Sequence, residues 1–183
     1  MEPKIFVFTG TSGSGRKTIA HKTGRELGLV HVMSCTTRKP RSMEISDKDY
    51  HYLTEEQFSE GLQQGQFVQT VRIDNVWYGI RKSDLEEALR GEQSVYVILN
   101  KEGASAMKAL YGERVIRLFL YVDKQTVRER LEAKGTSFSI IESYLDHYMD
   151  EVMYRKQCEH VFENMELTKT LAALQTVIRG YIG

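Results

Sequence analysis

The sequence has little cysteine, no excess of charge of either sign and no long apolar run. Its two cysteines, Cys35 and Cys158, are far apart and form no C-x-x-C pair, so neither a disulfide framework nor a cysteine metal site is expected. Lys plus Arg and Asp plus Glu number 25 each, which argues against a broad basic surface for nucleic acid or anionic membrane. No apolar run approaches the length of a membrane span, and we expect no signal peptide.

The composition that remains is that of an ordinary globular protein. Of the 183 residues, 41% are hydrophobic and 27% are charged, which is typical of a folded chain and not of a disordered one. The length favours one domain, with room for inserted subdomains. Reduced thiols favour a cytoplasmic protein. We therefore expect a single cytoplasmic domain over 1–183.

Apolar runs alternate with helix-forming segments along most of the chain. The runs at 4–8, 94–99 and 115–122 resemble buried strands, and each precedes a segment with helical spacing. This alternation predicts an α/β fold, a parallel sheet with helices on both faces. Ligands of such sheets bind at the carboxyl ends of the strands.

The segment 34–80 interrupts the alternation with the pattern of antiparallel strands. Two strand-like runs flank Asp74-Asn75, which is typical of a hairpin. Around it, three residues are predicted to cap helices: Thr54 with Gln57 as a capping box, Ser83 with Glu86, and Asp123. We interpret 34–80 as a subdomain inserted into the main sheet.

The stretch "IFVFTGTSGSGRKTIA" has the layout of a strand, a glycine loop and a helix. Gly10 and Gly15 have the spacing of a phosphate-binding loop, and the helix adds its positive end. However, Arg16 takes the place of the usual lysine. The arginine guanidinium is planar and larger, so it cannot act as the compact point charge that a lysine ammonium provides. Lys17 takes the place of the usual Ser/Thr and cannot coordinate magnesium, although Thr18 offers a hydroxyl one residue later.

A basic pair follows in the inserted segment. Arg38 and Arg41 flank Pro40, which stiffens the chain, and Tyr50 lies downstream. Two guanidiniums and a phenol suit a bidentate anion clamp. On these residues alone, a solvated surface loop is the better interpretation.

Taken together, the motifs resemble those of the guanylate kinase family. They occur in the family's order over nearly the whole chain, as "GTSGSGRKT", "SCTTRKPRSMEISDKDYHYL", "VWYGI", "RLEAKGT" and "VFEN". The resemblance implies a nucleoside monophosphate kinase fold of the P-loop type. It also implies a core of 1–33, 81–125 and 157–183, a monophosphate-binding subdomain at 34–80 and a helical lid at 126–156.

The same resemblance implies a role for each matched residue. A GMP site would use Ser34, Arg38, Arg41, Glu44, Tyr50, Gln69, Tyr78 and Asn100. An ATP site would use Gly10, Ser12, Gly13, Ser14, Gly15, Arg16, Lys17, Thr18 and Asn164. Phosphoryl transfer would depend on Arg16, Lys17, Arg130 and Lys134, and Thr18 would be a weak candidate for contact with Mg²⁺.

The departures from the family pattern affect two functions, the recognition of guanine and phosphoryl transfer. Gln69 and Asn100 replace a glutamate and an aspartate that accept hydrogen bonds from guanine, and neutral bonds are weaker than charge-assisted ones. For transfer, Arg16 replaces the lysine, and the lid from Thr136 to Tyr154 has no Lys or Arg. Since lysine, magnesium and arginines supply most of this catalysis, we expect weak guanine selectivity and weak or lost transfer.

The main expectation is therefore a guanylate kinase-like protein that binds GMP through an intact phosphate clamp. One alternative is an active guanylate kinase, or a kinase of another nucleoside monophosphate, in which the remaining cations replace the missing ones. Another is a module that binds a phosphorylated protein. Expected partners are GMP and ATP or a phosphorylated ligand, with Mg²⁺ accompanying ATP if the chain is active and no tightly bound cofactor. A monomer or homodimer is expected.

Overall fold

Two β-sheets organise the chain in the computed structural model, which describes residues 2–183. The central sheet has five parallel strands in the spatial order β2 (Val30–His31), β7 (Val95–Ile98), β1 (Ile5–Gly10), β8 (Val115–Tyr121) and β9 (His160–Glu163). The second sheet has the order β4 (His51–Tyr52), β3 (Cys35–Thr36), β6 (Val76–Arg81) and β5 (Phe67–Ile73).

Seven α-helices accompany the sheets within residues 2–183. They are α1 (Arg16–Leu27), α2 (Glu55–Gln63), α3 (Lys82–Arg90), α4 (Lys101–Tyr111), α5 (Lys124–Ala133), α6 (Phe138–Met153) and α7 (Leu167–Ile182). The predicted α/β fold with a parallel sheet is confirmed. None of the helices in the described part of the chain is long and apolar enough to cross a membrane.

Strand β1 shows why the central strands appear in the sequence as uninterrupted apolar runs. Ile5 and Val7 pack into a core shared with α4, α5 and α6, whereas Phe6 and Phe8 pack on the opposite face against α1 and α7. All four side chains are fully buried. A parallel strand covered by helices on both faces has no solvent side, so no polar residue alternates along it.

The second sheet combines the predicted hairpin with an unexpected parallel pair. Asp74 and Asn75 adopt positive φ values of 48° and 64°, as a tight turn between β5 and β6 requires. Strands β3 and β4, however, are parallel, and we expected antiparallel pairing here. Parallel pairing needs a long connection, and residues 37–50 provide it.

Two of the three predicted helix caps are confirmed and one is wrong. Thr54 and Gln57 form the reciprocal capping box of α2, and Asp123 accepts a hydrogen bond from the backbone N–H of Thr126 at the start of α5. Ser83, in contrast, lies inside α3. Strand β6 continues directly into this helix, whose N-cap is Arg81.

Candidate nucleotide site

The glycine loop lies where β1 ends and α1 begins, at the carboxyl edge of the central sheet. Gly10 has φ = 145°, and a Cβ there would lie 1.8 Å from the carbonyl oxygen of Leu120. Gly15 forms the N-cap of α1 in the left-handed region, with φ = 77°. Only glycine fits these two positions without strain. A loop of this kind, leading into the positive end of α1, is suited to binding an anion.

The two cations that follow the loop point in different directions. The guanidinium of Arg16 donates to the carbonyl oxygens of Gly10 and Leu99, at 3.2 Å each, so it links the ends of β1 and β7. The ammonium of Lys17 contacts the Asp49 carboxylate and lies 3.7 Å from Glu44. The charge at position 17 therefore lies between the glycine loop and the long connection 37–50.

That connection contributes most of a cluster that we call the clamp, made of Arg38, Arg41, Glu44 and Tyr50, together with Tyr78 of β6. Glu44 accepts two hydrogen bonds from the Arg38 guanidinium, at 2.7 and 2.9 Å, and a third from the backbone N–H of Arg41. The bond from Arg38 is the main reason that the pKa of Glu44 falls to about 2. Arg38 also lies over the ring of Tyr50, 5.4 Å from its centroid, and Tyr50 packs edge-on against Tyr78.

The base-side candidates lie beside the clamp. Ser34 and Gln69 are buried, 8% and 7% exposed, at the start of β3 and within β5. Asn100 is the N-cap of α4, and its Oδ1 accepts a hydrogen bond from the backbone N–H of Gly103 at 2.9 Å. Helix α4 packs against β5, which brings Asn100 and Gln69 together.

The ATP-side candidates surround the far end of the glycine loop. Asn164 donates through Nδ2 to the carbonyl oxygen of Ser14 at 2.7 Å. Arg130 donates to the carbonyl oxygens of Ser14 and Asn164. These three residues therefore lie in contact with one another. Lys134 is exposed at the end of α5, and Thr18 is exposed in the first turn of α1.

The chain also matches known proteins. The family model for guanylate kinase matches residues 2–181 of the chain.

The chain belongs to the guanylate kinase family.

Its relatives match it over nearly their full length. It is 32% identical to a guanylate kinase of Wolbachia sp. subsp. Brugia malayi, covering 97% of this chain and 92% of the relative. It is 27% identical to a guanylate kinase of Fusobacterium nucleatum, covering 96% of both. The crystal structure of guanylate kinase from Anaplasma phagocytophilum has the same fold, with a TM-score of 0.80 and 20% identity over 98% of this chain and 86% of that one.

Three residues of this guanylate kinase family member contact the site and were missed in the sequence. Asp49 pairs with Lys17. Glu151, on α6, accepts hydrogen bonds from the backbone N–H and the hydroxyl of Ser12, at 2.8 and 3.0 Å. Tyr144, also on α6, accepts a hydrogen bond from Arg41 at 3.4 Å.

Helix α6 thus touches both the glycine loop and the clamp. The acidic and aromatic composition of 136–154 indicated an unusual lid, but no local pattern identifies a contact between residues 139 positions apart. Asp49 had a weak signal, since it directly precedes the clamp residue Tyr50.

Proposed function

We propose that the chain transfers the γ-phosphoryl group of MgATP to GMP, giving ADP and GDP. The observation that carries this proposal is the clamp, in which Glu44 fixes Arg38 and the backbone of Arg41. A planar guanidinium held in this way suits bidentate binding of a phosphate. Tyr50 and Tyr78 complete one side of the same cluster.

The clamp and the glycine loop would hold the two reactants face to face. We assign the GMP phosphate to the clamp and the ATP phosphates to the N–H groups of the loop from Gly10 to Thr18. Phosphoryl transfer requires mainly that the two substrates are positioned in line and that the developing charge is stabilised. Lys17 supports this assignment, because its ammonium lies between the two surfaces.

Magnesium would enter as part of the MgATP substrate. Among residues 2–183, no group of three or more His, Cys, Asp or Glu side chains is arranged to hold a metal ion. Mg²⁺ usually keeps several waters and binds through substrate phosphates, so this chemistry does not require a protein cage. The segment 34–80 would then receive GMP, and the lid at 126–156 would exclude water on closing.

The sequence departures favoured weak or lost transfer, whereas the matches to guanylate kinases over nearly the whole chain support the active alternative. Arg16 no longer faces the phosphates, since it binds two carbonyl oxygens. Lys17, Arg41 and Arg130 remain near the loop or the clamp. We infer that these three cations supply the charge that the family's lysine would otherwise provide.

The test is turnover, followed as ADP release from MgATP with saturating GMP. A rate of order 1–100 s⁻¹, the usual range for kinases, is expected, and Arg38→Ala should remove it. Arg72→Ala is the matched control, because Arg72 is exposed on the hairpin of the same sheet and contacts the ring of Trp77. Wild-type turnover no higher than that of the Arg38→Ala variant would contradict the proposal. GMP binding by the wild type without turnover would favour a binding module.

A further inference from the structure

Two amide side chains, those of the buried Gln69 and the partly buried Asn100, meet beside the clamp. A Cβ placed on Gly103 would lie 3.2 Å from Oδ1 of Asn100 and 3.4 Å from Oε1 of Gln69. The two amides therefore converge on the same point, where the start of α4 packs against β5. This is the side of the clamp on which a nucleotide base would lie if the clamp holds its phosphate.

Each amide has one buried polar atom without a partner in the described chain. Oδ1 of Asn100 accepts from the N–H of Gly103, which fixes the orientation of this amide, because only the oxygen accepts. Its Nδ2 is buried and unpaired among residues 2–183, and so is Oε1 of Gln69. A buried polar atom without a partner is destabilising, so a ligand that pairs with both atoms is favoured. In this arrangement the two amides present one donor and one acceptor.

This pattern differs in kind from a pair of carboxylates, which can only accept. Guanine presents donors at N1–H and at its 2-amino group, so two acceptors select it. Adenine presents the acceptor N1 beside the 6-amino donor, which two carboxylates would leave partly unpaired. One donor and one acceptor match this edge of adenine, as amide side chains commonly match adenine elsewhere. They also match the O6 acceptor and N1–H donor of guanine.

We propose that Gln69 and Asn100 make this chain a kinase of both purine monophosphates, with AMP as a second phosphoryl acceptor. The inference rests on the proposed function, since it assigns the acceptor for the same transfer. A site built to hydrogen-bond one partner rejects an unmatched analogue by about 10⁴–10⁵-fold in kcat/KM. With a donor and an acceptor available to either base, we expect kcat/KM for AMP within about 100-fold of the value for GMP.

The experiment measures kcat/KM for GMP and AMP in the wild type and in the double variant Gln69→Glu/Asn100→Asp. The double variant should lower kcat/KM for AMP relative to GMP by at least about 100-fold, mainly through KM for AMP. Aspartate caps helices as well as asparagine, so α4 should keep its N-cap. Gln63→Glu is the control for added charge, because it adds one of these two negative charges at an exposed position of α2 and should leave the GMP-to-AMP ratio unchanged.

The outcomes separate the two proposals. Turnover of GMP with rejection of AMP by 10⁴-fold or more would overturn the inference and leave the proposed function intact. An unchanged GMP-to-AMP ratio in the double variant would show that these amides do not select the base. Absence of turnover with either nucleotide would overturn the proposed function, and the dual-acceptor inference with it.

Discussion

The carboxylate of Glu151 occupies part of the surface on which the glycine loop would bind phosphate. It accepts hydrogen bonds from the N–H and the hydroxyl of Ser12, and these are donors that a nucleotide phosphate would use. ATP bound by this loop would therefore have to displace the carboxylate, together with helix α6 of the proposed lid that carries it. We predict that Glu151→Gln binds ATP more tightly than the wild type.

The two hydrogen bonds set the size of the effect. A bond to a charged group contributes about 1.5–3 kcal/mol and a neutral one about 0.5–1.5 kcal/mol. Glutamine keeps the shape but not the charge, so the docked contact should weaken by about 1–3 kcal/mol over both bonds. A nucleotide that binds only the undocked form gains this difference, and 1.4 kcal/mol is a factor of ten. The dissociation constant of ATP should fall by about 5- to 150-fold.

Isothermal titration calorimetry with ATP and no GMP measures this constant directly. Glu142→Gln is the matched control, because Glu142 lies on the same helix and pairs with Arg128 at 2.7 Å within the lid. It removes the same charge without touching the glycine loop, so its ATP affinity should stay close to that of the wild type. An unchanged or weaker affinity in Glu151→Gln would refute competition between the carboxylate and phosphate.

Three other predictions concern charge and backbone. Hydrogen bonds from Arg38 hold the pKa of Glu44 at about 2 in the folded chain, against an ordinary value of 4.5. Burial raises the pKa of Glu159, but hydrogen bonds from Arg117 outweigh the effect of burial and bring this pKa to about 2 as well. Both carboxylates therefore stabilise the fold above about pH 4.5. Urea titrations should show that the free energy of unfolding decreases as the pH falls toward about 2, because this contribution is lost. Lys17→Ala should lower kcat by about 100-fold, as loss of a preorganised charge donor does, and steady-state kinetics showing only a changed KM for GMP would contradict this role. Gly180→Ala, in the exposed last turn of α7 where a Cβ meets no neighbour, should raise the free energy of unfolding by about 0.5 kcal/mol, the lower end of the range for a helical glycine, measured by urea denaturation.

The parts of the fold that follow from local chemistry could be predicted from the sequence. The burial of β1 on both faces produces the apolar run that marks it, and the turn at Asp74-Asn75 needs residues that tolerate positive φ. The cap at Asp123 depends on a backbone N–H three residues away. Ser83 was misjudged because a cap also depends on where the preceding strand ends, and β6 ends at Arg81, later than its own residues indicate.

The contacts of the site that the sequence did not predict join distant segments. The Ser12–Glu151 contact depends on where α6 lies over the sheet, and the Lys17–Asp49 contact depends on how residues 37–50 return to β4. The resemblance assigned Asn164 and Arg130 to ATP, and both donate hydrogen bonds to the carbonyl oxygen of Ser14 in the glycine loop. The resemblance could not indicate the direction of the Arg16 side chain. A motif match predicts where the backbone lies, but not which groups a substituted side chain contacts.

Arg16 and Lys17 are best understood together, as two neighbouring cations that have exchanged roles. The Arg16 fork suits two carbonyl oxygens, because it presents several donors in one plane, and it binds those of Gly10 and Leu99. Leu99 directly precedes Asn100, so this contact connects the glycine loop to the residue that caps α4 on the base side. Lys17, with a flexible stem, reaches Asp49 in the clamp connection. Arg16 thus joins the glycine loop to the residue before Asn100, and Lys17 joins it to the connection that carries the clamp, so both ends of the proposed GMP site are tied to the loop that would hold ATP.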